Sequence, residues 1–181
     1  MGAADRVALD GGMGAALMEA GLQHPALPEE WLLSRPEAIR AVHAGHAAAG
    51  AELLLTCTFN LAGPRLDDRG LGGRIREIAA AAVRVARAAA PGAQVAGAVG
   101  PTAMVSPGSA GRPSSGVLRQ RFQEPFAALA EAGADLLWTE SHWDLEEARE
   151  ALAAALACGL PAVVTLGPVA EGGRLVLPGG P

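Results

Sequence analysis

Short runs of apolar residues alternate along this chain with longer, alanine-rich segments of helical periodicity. The apolar runs predict five β-strands: Arg6–Leu9, Glu52–Thr56, Gln94–Val99, Asp135–Trp138 and Ala162–Leu166. The longer segments predict four helices: Pro36–Ala49, Gly73–Ala90, Val117–Ala132 and Leu145–Cys158. Because strands that alternate with helices usually belong to βα units, the pattern predicts an α/β fold around a parallel sheet.

Capping signals define the starts of two of these helices. Ser34 and Glu37 stand at capping-box spacing, and Asp144 and Glu147 repeat that spacing before the last helix. Between the third strand and the third helix, Gly100–Gly116 is rich in Pro, Ser and Gly. It is longer than an ordinary βα connection of about 2–6 residues, so we interpret it as a candidate substrate lid.

Composition narrows the class of protein. The 181 residues are 50% hydrophobic and 18% charged, which predicts a single domain over residues 1–181. The net charge of −5 comes without a basic run, so nucleic acid is not an expected partner. A leader-like start and an apolar stretch of about 18 residues are both lacking, which predicts a cytoplasmic protein without membrane insertion.

Residues able to carry chemistry follow each predicted strand. They are Asp10-Gly11-Gly12, Cys57-Thr58-Phe59-Asn60, Gly100-Pro101-Thr102, Glu140-Ser141-His142 and Gly167-Pro168. Parallel α/β proteins build their sites from the loops at the carboxyl ends of strands. We therefore expect these five clusters to line one face of the molecule.

Two of the clusters suit the two ends of an amino acid. Gly11 and Gly12 allow a carboxylate to approach backbone N–H groups, although a tight turn explains these glycines about equally well. Glu140 emerges from an apolar run, where an unpaired carboxylate is costly, so a cationic amino group would satisfy it. Helix capping is the alternative interpretation of Glu140.

The histidines and cysteines give weaker signals. His43 and His46 have the spacing of one helix face, but they continue an apolar stripe and no carboxylate or cysteine joins them in the pattern, so we predict packing. His142 is a weak candidate for a general acid or base. Cys57 lies at the expected site face and Cys158 at the opposite end, so a shared zinc or disulfide is not expected.

Four ordered motifs resemble those of the homocysteine S-methyltransferase family. They are Leu9-Asp10-Gly11-Gly12-Met13-Gly14, Thr56-Cys57-Thr58-Phe59, Gly100-Pro101-Thr102, and Ala132 to Glu140, which is similar to an AGADLLxxET segment. The resemblance implies a (β/α)8 TIM-type barrel that transfers a methyl group to the homocysteine thiol, giving methionine. It also implies that the amino acid is bound by Asp10, Gly11, Gly12, Thr58, Phe59 and Glu140.

The same resemblance implies a zinc ion held by three cysteines in GxNC-like and GGCC-like turns. Neither turn occurs in this sequence, so the family's metal ligands and its catalytic residues have no counterparts here. Cys57 and Ala15 also replace the family's Asn and Thr. About five of eight βα units are visible, which predicts an incomplete barrel with a partner chain or self-association. S-methylmethionine, S-adenosylmethionine and a corrinoid–folate route all remain possible methyl donors.

Two alternatives stay open at this point. The first is a noncatalytic remnant or amino-acid-binding subunit that needs a partner chain. The second is an unrelated doubly wound α/β hydrolase with its chemistry around Glu140 and His142.

Overall fold

The computed structural model describes residues 6–105, 112–172 and 174–177. The helices of this part are α1 (Met13–Glu19), α2 (Pro28–Ser34), α3 (Pro36–Ala48), α4 (Pro64–Asp68), α5 (Ile75–Ala89), α6 (Ser115–Glu131) and α7 (Leu145–Leu156). The strands are β1 (Leu53–Leu55), β2 (Gln94–Val99), β3 (Leu136–His142), β4 (Ala162–Leu166), β5 (Val169–Glu171) and β6 (Arg174–Val176). A 3₁₀ turn at Gly72–Arg74 leads into α5.

The first four strands form one parallel sheet in the order β1-β2-β3-β4. Helices α3, α5, α6 and α7 pack against one another in that order and against the same strands. They therefore form one layer on one face of the sheet, which contradicts the doubly wound alternative. The predicted α/β fold with a parallel sheet is confirmed, while closure into an eight-stranded barrel stays a prediction.

The predicted first strand is reduced to a single bridge. Leu9 pairs in parallel with Leu53, and the Asp10 N–H donates to the Leu53 carbonyl at 3.1 Å. Arg6–Leu9 has β1 as its neighbour and pairs with it only near this point, so a regular ladder does not develop. The segment still lies beside β1, and this position brings Asp10 to the carboxyl end of the sheet.

The four predicted helices are present with ends shifted by two residues or fewer, and α1, α2 and α4 were not predicted. One capping prediction is wrong: Ser34 ends α2 and its hydroxyl donates to the Glu30 carbonyl, so it does not cap α3. The other N-cap is confirmed, because the Asp144 side chain accepts from the Glu147 N–H at 2.8 Å. The Glu147 side chain does not complete a box; it bonds to Thr102.

The core lies between the sheet and this helix layer and continues to α1, α2 and α4. Its largest fully buried side chains are Phe122, Phe126, Leu17, Leu32, Ile39, Leu54, Leu66, Ile78, Leu118, Leu129, Leu137 and His43. Gly97 on β2 is required by this packing, because a Cβ there would lie 2.8 Å from the Cβ of Leu129. Helix α6 can therefore approach β2 closely, and this contact fixes the layer spacing.

The other face and the two edges of the sheet are more open. Val7, Leu9, Val164 and Leu166 are between 37% and 60% exposed. Beyond β4 the chain forms an unpredicted antiparallel hairpin, β5–β6, in which Val169 faces Val176. Among the described helices, none combines the length and the hydropathy needed to cross a bilayer. Residues 106–111 of the predicted lid lie outside the described residues.

Candidate functional site

A cavity of about 430 Å³ opens at the carboxyl end of the sheet. Its lining residues come from the segments after the first bridge, β1 and β3, together with the start of α2: Leu9, Asp10, Gly11, Gly12, Met13, Gly14, Pro28, Glu29, Leu55, Thr56, Cys57, Thr58, Phe59, Asn60 and Glu140. The six residues predicted to bind substrate all lie in this lining. The cluster after β2 and that after β4 do not.

Asp10 is fixed by the neighbouring strand. Its Oδ2 atom accepts a hydrogen bond from the Leu55 N–H at 2.9 Å, so the carboxylate is held at the cavity wall. Gly11 and Gly12 follow and are exposed residues, and their N–H groups donate to no group within the described residues. The first turn thus presents an anchored carboxylate beside two available donors.

Glu140 extends from β3 into the same cavity, where the charge of Asp10 affects its pKa. Burial, and then the charge of Asp10, raise the pKa of Glu140 above its ordinary value of 4.5. Burial also raises the pKa of Asp10, although the Leu55 N–H and the charge of His46 oppose this. Neither carboxylate forms a salt bridge within the described residues. Two acidic groups therefore face one space without a cation between them.

The Thr58 hydroxyl forms hydrogen bonds that stabilise the turn after β1. The Thr58 hydroxyl donates to the Ala98 carbonyl at 2.7 Å, and the Thr56 hydroxyl bonds to Thr58 while accepting from the Ala98 N–H. This buried chain of hydrogen bonds ties the turn after β1 to β2. Thr58 lines the cavity, but its hydroxyl proton is already donated to Ala98, so the hydroxyl could contact a ligand only as an acceptor.

Phe59 forms a partly exposed wall of the cavity. It is 39% exposed, and its ring lies over Gly100, where an added Cβ would be 2.5 Å from the ring. The Gly100 N–H also donates to the Phe59 carbonyl at 2.9 Å. The absence of a side chain at residue 100 therefore sets the position of this aromatic wall.

Glu29 was missed by the sequence analysis. It is fully buried, and its Oε1 accepts from the Asn60 backbone N–H at 2.8 Å and from the Asn60 side-chain amide. Burial raises the pKa of Glu29 above its ordinary value. Helix α2, which carries this residue, is too short for periodicity to reveal, and the Glu29–Asn60 separation of 31 residues carries no local signal. Glu29 positions the turn that contains Thr58 and Phe59.

Comparisons with known proteins indicate the protein family in which this arrangement of residues occurs. A family model described as homocysteine S-methyltransferase matches residues 7–178. The chain belongs to this family. The match covers nearly all of the sequence and includes the four motifs that first indicated the resemblance.

Solved structures of the homocysteine methyltransferase MmuM from Escherichia coli are similar to this chain. The oxidized form matches with a TM-score of 0.76 and 27% identity over 89% of this chain, and the metallated form with 0.73 and 26% over 86%. The chain spans 62% and 61% of the lengths of those two MmuM chains. The likeness supports the family fold for the residues that are matched.

The residues present do not fit the three-cysteine zinc site that this homocysteine S-methyltransferase family implies. The sequence has two cysteines. Cys57 lines the cavity, but burial, and then the charge of Glu29, raise the pKa of its thiol well above the ordinary value, which disfavours the thiolate that binds zinc. Cys158 follows the carboxyl end of α7, at the opposite end of the βα units. We therefore assign no zinc-dependent step to these residues.

His142 does not share the cavity with Glu140. A register shift between Thr139 and His142, with a positive φ of 58° at Ser141, reverses the alternation of side chains at the end of β3. His142 consequently faces the helix layer, fully buried, with its ring edge against Phe122. The hydrolase alternative is wrong, because the two residues it requires lie on opposite faces.

Thr102 and Glu147 form the polar centre on this helix side. The Thr102 N–H donates to the Glu147 Oε1 at 2.9 Å, and the Thr102 hydroxyl donates to the same atom. Arg112 pairs with the N-cap carboxylate Asp144. Although burial opposes the effect, the Arg112 and Glu147 N–H hydrogen bonds lower the pKa of Asp144. The turn after β2 is thus tied to the start of α7.

The expectation that no carboxylate joins His43 and His46 is wrong. His43 is fully buried, as expected for packing, yet a carboxylate does join the pair: nitrogen atoms of both rings and a carboxylate oxygen of Asp10 lie within 4.8 Å of one another. Burial, and then the charge of His46, lower the pKa of His43 to about 4. The sequence could not reveal this cluster, because Asp10 and His43 are 33 positions apart.

Proposed function

We propose that this chain binds L-homocysteine in the cavity beside Asp10 and Glu140 and presents its thiol for methyl transfer, giving methionine. The observation that carries the proposal is the pair of cavity carboxylates, both with raised pKa and neither in a salt bridge within the described residues. Family membership makes homocysteine the amino acid of choice. The MmuM structures support the same assignment.

The ammonium group of the amino acid fits between the two carboxylates. Bringing Asp10 and Glu140 together as anions is unfavourable, and burial adds to that cost. A cation between them favours both charged forms, so binding relieves a cost already present in the empty site. Helix capping does not explain Glu140, because Asp144 caps α7.

The carboxylate of the amino acid fits the first turn. The exposed residues Gly11 and Gly12 offer two backbone N–H groups without acceptors in the described residues, next to Asp10, so one turn can contact both ends of the zwitterion. Phe59 and the backbone around Thr58 then flank the remaining space, where the thioalkyl chain would lie. The cavity volume is within the range of about 300–1,000 Å³ for small-molecule sites.

Methyl transfer forms a carbon–sulfur bond at homocysteine, breaks the bond between the methyl group and its donor, and releases the thiol proton. A thiol with a pKa of about 8.5 is mostly protonated at neutral pH, so the reaction needs a means of generating the thiolate. In the family, a zinc ion held by cysteine thiolates would bind the homocysteine thiol and lower its pKa. The residues present do not provide those cysteine ligands. The methyl donor, the synthesis of methionine and a cytoplasmic location remain predictions.

A second candidate function is amino acid binding without methyl transfer by this chain alone. The observation that favours it is the state of the cysteines: Cys57 is buried with a raised pKa, and Cys158 lies at the other end of the fold. Such a chain would retain the homocysteine pocket and act with a partner that supplies the reactive groups.

Isothermal titration calorimetry with L-homocysteine tests the proposal. The unmodified chain should bind, Glu140→Gln should weaken binding at least about 30-fold, since removing one member of a buried charge pair costs about 2–5 kcal/mol, and Glu124→Gln on the exposed face of α6 should bind like the unmodified chain. The analogue 4-mercaptobutanoic acid, which lacks the ammonium group, should bind weakly to all three.

Equal affinity of the unmodified chain and Glu140→Gln would overturn the proposal. A separate assay for methionine formation with S-methylmethionine or S-adenosylmethionine distinguishes the two candidate functions. Turnover by the purified chain alone would contradict the binding-only candidate, whereas binding without turnover would favour it.

A further inference from the structure

The imidazole rings of His43 and His46 project from one face of α3 toward the first turn. They are three positions apart, which places them side by side on a helix. An added Cβ at Gly11 would lie 3.1 Å from the His46 Nε2 atom, so the His46 ring contacts the turn directly. Asp10 completes the cluster from the adjoining position of that turn.

Three buried ring nitrogens of this cluster are unpaired in the part of the chain that the structure describes. Within the described residues, neither nitrogen of His43 forms a hydrogen bond, although the ring is fully buried, and the buried Nδ1 of His46 is also unpartnered. A buried polar atom without a partner carries an uncompensated desolvation penalty, and an apolar ring would pack without it. Packing alone therefore gives no reason for two histidines facing a carboxylate.

We propose that Asp10, His43 and His46 bind a divalent transition-metal ion of the zinc class, at a site separate from the three-cysteine site of the family. Two neutral imidazole nitrogens and one carboxylate oxygen suit Zn²⁺, Co²⁺ or Ni²⁺ better than Ca²⁺ or Mg²⁺. Three protein ligands leave one coordination position for water or another small ligand.

The geometry is close to what such an ion needs. Ligand atoms about 2.0–2.1 Å from a tetrahedral zinc lie roughly 3.3 Å apart, and in this chain the three atoms lie within 4.8 Å of one another. His46 is only partly buried, so rotation of its ring can close the difference. The Asp10 Oδ2 atom is already oriented by the Leu55 N–H, and such a hydrogen bond to a ligating carboxylate is typical of metal sites.

This inference goes beyond the proposed function and does not depend on it. The two share Asp10, so metal and the homocysteine ammonium group would compete for one carboxylate. Glu140 belongs only to the amino acid site and His46 only to the metal site, so single variants separate the two claims.

The test uses the tag-free chain after chelator treatment, titrated with Zn²⁺ by calorimetry and with Co²⁺ by visible absorption. The unmodified chain should bind one equivalent, and Co²⁺ should show the intense bands of a four-coordinate ion. His46→Ala should weaken binding at least about tenfold, because losing even a hydrogen-bond partner of a ligand costs about 10- to 100-fold. His24→Ala, which removes an exposed histidine outside the cluster, should leave binding unchanged.

The inference is overturned if the unmodified chain binds neither ion, or if folded His46→Ala binds as well as the unmodified chain. Alanine favours helix, so His46→Ala should fold, and its far-UV circular dichroism checks this. Asp10→Asn provides a second ligand variant with the same expected loss. Retained metal binding in Glu140→Gln, together with retained homocysteine binding in His46→Ala, would show that the two sites are distinct.

Discussion

Two groups of carboxylates near the same end of the sheet have different surroundings. On the helix side, Glu147 Oε1 accepts hydrogen bonds from Thr102, and Asp144 accepts from Arg112 and from the Glu147 N–H. The second Glu147 oxygen, Oε2, has no hydrogen-bond partner within the described residues and lies 3.7 Å from the His142 Nδ1 atom. On the cavity side, Asp10 and Glu140 line one space, and neither forms a salt bridge within the described residues. The first pair holds connections together, while the second retains unfavourable electrostatics that a ligand can relieve. Carboxylates bonded to donors from neighbouring segments thus indicate architecture here, whereas two carboxylates that share a cavity indicate a binding site.

Removing the acceptor on the helix side should have the largest effect. Glu147→Ala leaves the N–H and hydroxyl of Thr102 buried without their acceptor, which should lower the free energy of unfolding by about 3 kcal/mol, since each orphaned group costs about 1–3 kcal/mol. Urea unfolding measures this, with the exposed Glu124→Ala as control. A loss no larger than that of Glu124→Ala would show that the helix-side network does not hold the fold.

Protonation of Glu140 should have the second largest effect, because it weakens the binding of homocysteine in the cavity. The pKa of Glu140 is raised, so its carboxylate takes up a proton above pH 4.5, whereas the homocysteine ammonium stays charged. Affinity should therefore fall as the pH decreases through the pKa of Glu140, by up to about tenfold per pH unit. Calorimetry of the metal-free chain from pH 7 down to pH 4 measures it. An affinity independent of pH would indicate that the ammonium is bound elsewhere.

Loss of the N-cap of α7 should have a smaller effect. Asp144→Ala removes the acceptor of the Glu147 N–H and the partner of Arg112, and an N-cap contributes about 1 kcal/mol. Ser114 caps α6 through a longer contact of 3.4 Å, so Ser114→Ala should cost less. Urea unfolding of both variants provides the comparison, and a larger loss for Ser114→Ala would contradict it.

The smallest expected effect is a gain in stability rather than a loss. Glu140 has a folded-state pKa above its unfolded value, so its contribution to stability is present below the unfolded pKa and is lost as the pH rises through the folded pKa. At pH 7 the charged side chain therefore destabilises the empty chain, and Glu140→Gln should raise its Tm slightly. The difference should vanish near pH 4. A lower Tm of Glu140→Gln at pH 7 would mean that the carboxylate has a partner in the empty site.

Much of this arrangement could be predicted from the sequence because it depends on local patterns. The bounds of Gln94–Val99 and Ala162–Leu166 were predicted without error, since each is an apolar run between turn residues. Family motifs located Asp10 and Glu140, and both line the cavity. Their roles in binding remain predictions until ligand binding is measured.

The parts that could not be predicted depend on single backbone features or on distant contacts. Helices of five to seven residues, such as Pro64–Asp68, are too short to show a period. The reversal of His142 depends on one positive φ at Ser141, a residue that rarely adopts it. The contacts of Glu29 with Asn60, and of Asp10 with His43, join residues more than 30 positions apart, and neither has a local pattern.

The hydrogen bond between Asp10 and the Leu55 N–H also links ligand binding to chain folding. It joins residues 45 positions apart, so the cavity wall exists only after the N-terminal segment has docked on β1. A ligand that needs this docked carboxylate stabilises the docked state by mass action, in proportion to the logarithm of its concentration. Ligand binding would thus also stabilise the docked N-terminal segment, which pairs with β1 through the single bridge between Leu9 and Leu53.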